Sequence, residues 1–176
     1  VGHGTISATP LVVDGRVAAQ GGTLNLAAVS GPGTLALDTG GTAYAHAVCS
    51  VAAIDFVAGG NEKLIALPND ITGTIVGFGK GDTIDIRNST VTTLSFLAGT
   101  LTALDGTTVV DKLLFSGVYD TQDFGLKSDG TTGVDITFLA GSAEPPSAPA
   151  LCWFTPHWSG APIFDIGADI LRTGGW

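Results

Sequence analysis

Two aspartates, Asp82 and Asp85, stand three apart in Gly81-Asp-Thr-Ile-Asp85, on a glycine-rich corner. Oxygen ligands on such a corner suit a hard cation, so the pair are candidate calcium ligands. The calcium-binding nonapeptide Gly-Gly-x-Gly-x-Asp-x-U-x is not matched, and on one strand the two side chains would point to opposite faces. The competing reading is structural: Asp82 makes the corner and Asp85 is solvated. A second chemistry is polysaccharide cleavage by carboxylates with a basic helper. Its candidates are Asp85 near Arg87 and Asp111 beside Lys112, which otherwise read as surface charges flanking strands. A zinc site would need His46, Cys49, Cys152 and His157 to converge, and His46 and Cys49 on one strand would face opposite ways. No Gly-x-Ser-x-Gly elbow offers a nucleophile. The glycine-rich segments precede strands, so no helix N-terminus is presented to a phosphate. No catalytic residue and no cofactor is expected, apart from calcium at Asp82 and Asp85.

The elements that position these residues follow from composition and spacing. Of 176 residues, 26 are Gly and 22 are Thr, while only seven are Lys or Arg, and the net charge is −9. Seven basic residues leave no patch for a nucleic-acid backbone. No stretch approaches the length of apolar chain that a membrane-spanning helix needs. Runs at helical spacing are scarce, while short Val, Ile, Leu and Thr runs are bounded by Gly, so the chain reads as all-β. Two cysteines, Cys49 and Cys152, are too few for a disulfide framework. Abundant Thr and Gly, little Lys and an acidic balance suit an extracellular or cell-surface protein.

A turn signal recurs at Asp14-Gly15, Asp38 with Gly40-Gly41, Gly59-Gly60-Asn61, Gly81-Asp82, Asp105-Gly106 and Asp129-Gly130. Its Asp or Asn falls in turn at positions 14, 38, 61, 82, 105 and 129, which is close to even spacing. Asp and Asn tolerate left-handed backbone angles and Gly supplies them freely, so each site reads as a tight corner. A period near 23 predicts a β-solenoid of about six coils, each unable to bury its apolar face without neighbours. The alternative is an antiparallel β-sandwich with hairpins at the Asp-Gly pairs. The closeness of Thr100–Leu104 and Thr107–Val110 to Asp105-Gly106 keeps a hairpin open at that place. The pattern stops at Ala140. Residues 1–140 read as the solenoid domain, 141–150 as a Pro-rich linker and 151–176 as a tryptophan-containing tail or cap.

The stretch Ile71-Thr-Gly-Thr-Ile-Val-Gly-Phe-Gly-Lys-Gly-Asp-Thr-Ile-Asp-Ile86 resembles the GTIxGFxxGDTIDL unit of large bacterial extracellular β-solenoid repeat proteins, of autotransporter and haemolysin type. Leu113-Leu-Phe-Ser-Gly-Val-Tyr-Asp120, with Phe124–Gly130 and Gly133–Thr137, resembles the unit that closes such solenoids. In many of these proteins a Pro-containing linker and a Hint self-processing domain follow. Cys152 sits where that domain's nucleophile would, although Trp153-Phe-Thr-Pro departs from the usual opening, and Cys152 therefore reads as a relic or truncation point. The resemblance implies secretion and fold, and no particular activity.

The expected function is non-enzymatic: a structural or adhesive segment of a secreted or surface-exposed bacterial protein, self-assembling end to end or meeting surface glycans. Trp153, Phe154, Trp158, Phe164 and Trp176 are the expected interaction residues. A polysaccharide-binding or polysaccharide-degrading solenoid and a calcium-dependent binding module are the alternatives.

Overall fold

In a computed structural model, residues 2–7, 11–57 and 59–139 are described, and they form fourteen strands with no α-helix among them. The expected linker at 141–150, Cys152 and the five aromatic interaction residues lie outside the described residues.

The chain is a β-solenoid. Its coils are traced by β1 (Gly2–Ile6), β2 (Leu11–Val12), β3 (Arg16–Leu26), β4 (Val29–Asp38), β5 (Thr42–Ala45), β6 (Cys49–Phe56), β7 (Lys63–Ala66), β8 (Thr74–Val76) and β9 (Thr83–Ile86). All ladders within this set are parallel. One face stacks β1, the second half of β3, β5, β7 and β9, and a second stacks the first half of β3, the second half of β4, β6 and β8. The first halves of β4 and β6, with β2 and the bridge from Cys49 to Ile71, make a third, narrower face.

The rod has about four turns, not six, and its coils are shorter than the spacing of Asp and Asn predicts. Leu24, Ala43, Leu64 and Ile84 are paired in succession, and the interval between neighbours in that series is one coil. The longer spacing came from treating unlike corners as equivalent. Asp38–Gly41, Gly60-Asn61 and Gly81-Asp82 do stack, each leading into a strand of the same face. Their counterpart in the first coil is Gly21-Gly22, which has no Asp, while Asp14-Gly15 turns at a different edge. Asp105-Gly106 and Asp129-Gly130 are hairpin turns, where the antiparallel alternative survives locally.

Inside, columns of apolar side chains run along the stack. Leu35, Ile54 and Ile75 form one such column, and Ala19, Leu37 and Phe56 another, all buried. The alternation of period two puts Thr23, Thr42, Lys63 and Thr83 outside in register on the first face. Strands β4 and β6 escape a reading by short apolar runs because Gly31-Pro-Gly33 interrupts the first. That interruption is the bend between two faces. Gly31 has φ +119°, and a Cβ there would stand 2.9 Å from the backbone nitrogen of Val13 in the coil before.

Beyond β9 the pairing turns mostly antiparallel, and only the ladder from β12 to β8 stays parallel among the described residues. Strands β10 (Thr93–Leu97), β11 (Thr100–Asp105) and β12 (Thr108–Ser116) form an antiparallel meander whose last residues continue the second face against β8. Strands β13 (Phe124–Ser128) and β14 (Val134–Phe138) form a hairpin laid antiparallel on β9. Phe78, Phe96, Phe115, Tyr119, Phe124 and Phe138 fill the space between, with neighbouring ring centroids 5.2–6.4 Å apart. This aromatic cap closes the C-terminal end of the rod.

Candidate functional site

Asp82 and Asp85 are both buried, and they belong to different environments. Asp82 sits in the corner before β9. Its Oδ2 accepts the Gly79 N–H at 2.8 Å and its Oδ1 accepts the Glu62 N–H at 3.3 Å, so the corner-making role is correct. Glu62 is the residue one coil earlier and is wholly buried. Its Oε1 accepts the Gly40 N–H at 3.3 Å from the coil before that, and its Oε2 has no hydrogen-bond partner. Burial, then the neighbouring Glu62 carboxyl, push the Asp82 carboxyl up from 3.8 to about 7.

Asp85 is not solvated. It lies on the outer side of β9, where Lys63 bridges it, at 2.9 Å, to Asp135 of β14, at 3.1 Å. Its side chain is only 8 % exposed because β7 and β14 flank it on either side. Burial works against the Lys63 charge, but the two carboxylates outweigh it and raise its pKa. Arg87, expected beside Asp85, instead donates to the Tyr44 hydroxyl and lies over the Tyr44 ring at 5.2 Å. His46 stacks on that ring at 3.8 Å and contacts Asn25 Oδ1 at 3.3 Å. Asn25, Tyr44, Ile65, Asp85 and Asp135 are thus consecutive rungs of one outer column.

The remaining candidates stay apart. Asp111 is on β12, paired with β11 ahead of the Leu114–Ser116 segment that continues the second face, and is almost wholly buried. One of its oxygens accepts the Lys112 backbone N–H at 2.7 Å and the other has no partner, while burial raises its pKa. No ion pair joins Asp111 to Lys112 among the described residues. Asp85 and Asp111 therefore belong to different sheet faces, and neither has the basic helper assigned to it. His46 follows β5 on the surface, while Cys49 opens β6 in the core as a free thiol, its pKa raised to about 11 by burial. Cys152 and His157 lie outside the described residues. Among the described residues no three His, Cys, Asp or Glu side chains converge to hold a metal. A groove of about 550 Å³ lies between Ile71-Thr72 and the cap residues Leu97, Thr100, Lys112 and Leu114.

Sequence reasoning passed over Glu62, Lys63, Asp135 and Tyr44. Glu62 and Asp82 are separated by one true coil, and that spacing is the signal that would have paired them. Asp135 carried no such signal, since a hairpin, and not the repeat, brings it to Asp85. No family model, curated protein or solved structure matches the chain.

Proposed function

We propose that this chain is a non-enzymatic structural segment of a secreted or surface-exposed bacterial protein, a rigid rod that associates through one end. The observation that supports this most directly is the difference between the two ends. The C-terminal end is closed by antiparallel hairpins over an aromatic core. At the other, β1 pairs with β3 on one side only among the described residues, and Gly2-His-Gly-Thr-Ile6 carries no Lys, Arg, Asp or Glu. An uncharged, half-paired strand is a template for another strand. The cap's outer strands β10 and β13 are likewise paired on one side only, but the Thr121 hydroxyl accepts the Phe96 N–H and β13 carries Lys127, so association through the β1 edges, which joins rods in pairs, is favoured over a fibre.

The test is sedimentation velocity and electron microscopy across a concentration series, with Thr5→Lys as the edge-blocking variant. Pairs that disappear in Thr5→Lys support the reading. A wild-type chain that stays monomeric at about 100 µM, where edge pairing of micromolar affinity would be nearly complete, ends it. Removing residues 151–176 is the second arm, because Trp153, Phe154, Trp158, Phe164 and Trp176 are the competing proposed contacts. Loss of pairs in that arm alone moves the contact from the edge to the tail.

A second reading, glycan binding without cleavage, is favoured by the outer column of Asn25 and Tyr44 with His46 and Arg87 alongside. Aromatic rings next to planar hydrogen-bonding groups are what a sugar ring recognises. Glycan-array binding that is lost in Tyr44→Ala supports it. Calcium binding at Asp82 and Asp85 is tested by the melting temperature with and without chelator, and an unchanged value removes it.

A further inference from the structure

We propose that Asp14-Gly15 is a self-modification site, where the chain converts aspartate to isoaspartate through a cyclic imide and thereby loosens the corner of its first coil with age.

The chain holds three Asp-Gly pairs, at 14–15, 105–106 and 129–130, and the fold leaves only the first of them free to react. The reaction needs two groups at liberty: the side-chain carboxyl, which must swing onto the main chain, and the N–H of the glycine that follows. Asp14 and Gly15 are both exposed, in the bend between β2 and β3. Among the described residues no donor reaches the Asp14 carboxyl and no acceptor takes the Gly15 N–H. Arg16, the nearest cation in sequence, is committed to Asp38 at 2.9 Å. Nothing lies within 4 Å of where a Gly15 Cβ would stand, so the imide ring has room.

The other two pairs are tied. The Gly106 N–H donates to the Thr92 hydroxyl at 2.9 Å, so the attacking nitrogen is held away from Asp105. Asp129 is half-buried, and its Oδ1 accepts the N–H groups of Thr131 at 2.6 Å and Gly133 at 3.1 Å. Its Oδ2 accepts the Thr131 hydroxyl at 2.6 Å, and the Gly130 N–H goes to the Ser128 hydroxyl at 3.2 Å. Those bonds, first of all the one from the Thr131 hydroxyl, also lower the Asp129 pKa and keep its carboxyl ionised, whereas the form that loses water is the neutral one.

The Gly15 nitrogen attacks the side-chain carbonyl carbon of Asp14 in its neutral form. A C–N bond forms, a C–O bond breaks, and the hydroxyl leaves with the amide proton as water. Water then opens the imide at the former main-chain carbonyl, so the chain afterwards runs through the Asp14 Cβ with its composition unchanged. The added carbon falls between two anchors. The Val13 carbonyl accepts the Gly33 N–H at 2.7 Å, and the Gly15 carbonyl accepts the Thr34 N–H at 2.8 Å. A main chain one carbon longer cannot keep both, so the ladder of β3 on β4 loosens at Arg16 and Thr34, where it begins.

The test incubates the whole folded chain at pH 7.5 and 37 °C in water enriched in oxygen-18. Trypsin places the three pairs in separate peptides, residues 1–16, 88–112 and 128–172. Electron-transfer mass spectrometry identifies isoaspartate by cleavage through its Cα–Cβ bond, and each opening of the imide takes up one oxygen-18 atom. Asp14 should convert about fivefold faster than Asp105, whose glycine must give up one neutral hydrogen bond. It should convert at least about tenfold faster than Asp129, whose charged carboxylate must give up several. In guanidinium, with the fold gone, the three rates should draw together. Thr92→Val, which frees the Gly106 N–H, should raise the Asp105 rate about fivefold and leave that of Asp14 unchanged. A folded chain in which Asp105 or Asp129 converts as fast as Asp14 overturns the proposal, as does one in which Asp14 stays intact while the unfolded chain converts.

Discussion

Phe78 joins the rod to its cap, and truncating it tests whether the two form one cooperative body. It lies in the connection between β8 and β9 and is 2 % exposed. Its ring meets Phe56 of the rod edge-on at 5.2 Å, and from the cap it meets Phe115 at 5.7 Å and Phe138 at 6.4 Å. It also stacks on Phe124 at 6.2 Å. Replacing a buried Phe by Ala costs about 3–5 kcal/mol, from lost transfer energy and the cavity left behind. Edge-to-face partners add about 0.5–1.5 kcal/mol per pair beyond area burial, which places Phe78→Ala in the upper part of that range. A domain of this size is stable by about 5–15 kcal/mol, so a third or more of the total is at stake. The melting temperature should fall by about 12–20 °C. Calorimetry and urea unfolding measure both quantities, and Phe78→Leu, which fills part of the space, should lose about 1–2 kcal/mol. A loss below about 1 kcal/mol in Phe78→Ala would refute the reasoning. So would a wild-type thermogram with two transitions, of which only one moves in the variant.

Four further outcomes follow from named residues. Lys63→Met leaves Asp85 and Asp135 side by side without their cation and should cost about 1–3 kcal/mol, a value reduced because Lys63 is one-third exposed. The Lys63 pKa is raised, so this contribution is complete below about pH 10.5 and is lost as pH rises through the folded value. Urea melts at pH 8 and pH 11 should show that loss in the wild type and not in the variant. Cys49, buried with a pKa of about 11, should resist iodoacetamide at pH 8 until urea opens the rod, as read by mass spectrometry of its peptide. Labelling of the folded chain at the rate of a free thiol would contradict its placement. Gly33→Ala should cost well over about 3 kcal/mol, because a Cβ there stands 2.6 Å from the Val13 carbonyl oxygen and closer still to that of Gly15. Gly106→Ala, at φ +58° with open space around it, should cost only about 1–2 kcal/mol in the same urea assay.

Much of the fold was legible in one dimension. Thr42–Tyr44, Leu64–Leu67 and Thr83–Ile86 read as strands and lie in β5, β7 and β9 or run one residue past them. Their alternation also says which side of each faces the interior, as the buried Ala43, Leu64 and Ile84 show. The hairpin at Asp105-Gly106 was visible in the closeness of its flanking strands. The coil length was misjudged because Asp-Gly chemistry marks any tight turn, whether it joins two faces of a coil or two arms of a hairpin. The turn residue reports a local backbone angle, and it carries no information about which strand will lie beside which.

The candidate site divides along the same line. Residue type and spacing by themselves determined that Asp82 shapes a corner, because an aspartate beside glycine bonds its own turn wherever it occurs. They also determined the acidic, sparsely charged surface and the stacked β architecture. Only the tertiary structure decided that Asp85 is buried against Lys63 and Asp135, that Arg87 turns to Tyr44, and that Asp82 accepts the Glu62 N–H from the coil before. Those contacts join residues from different coils, and one of them joins the rod to its closing hairpin. They depend on register between coils and on where that hairpin lands. Register is a collective property of every stacked side chain, since a one-residue slip turns each strand's inner face outward. The partners of a charged group therefore appear only when the whole stack is assembled.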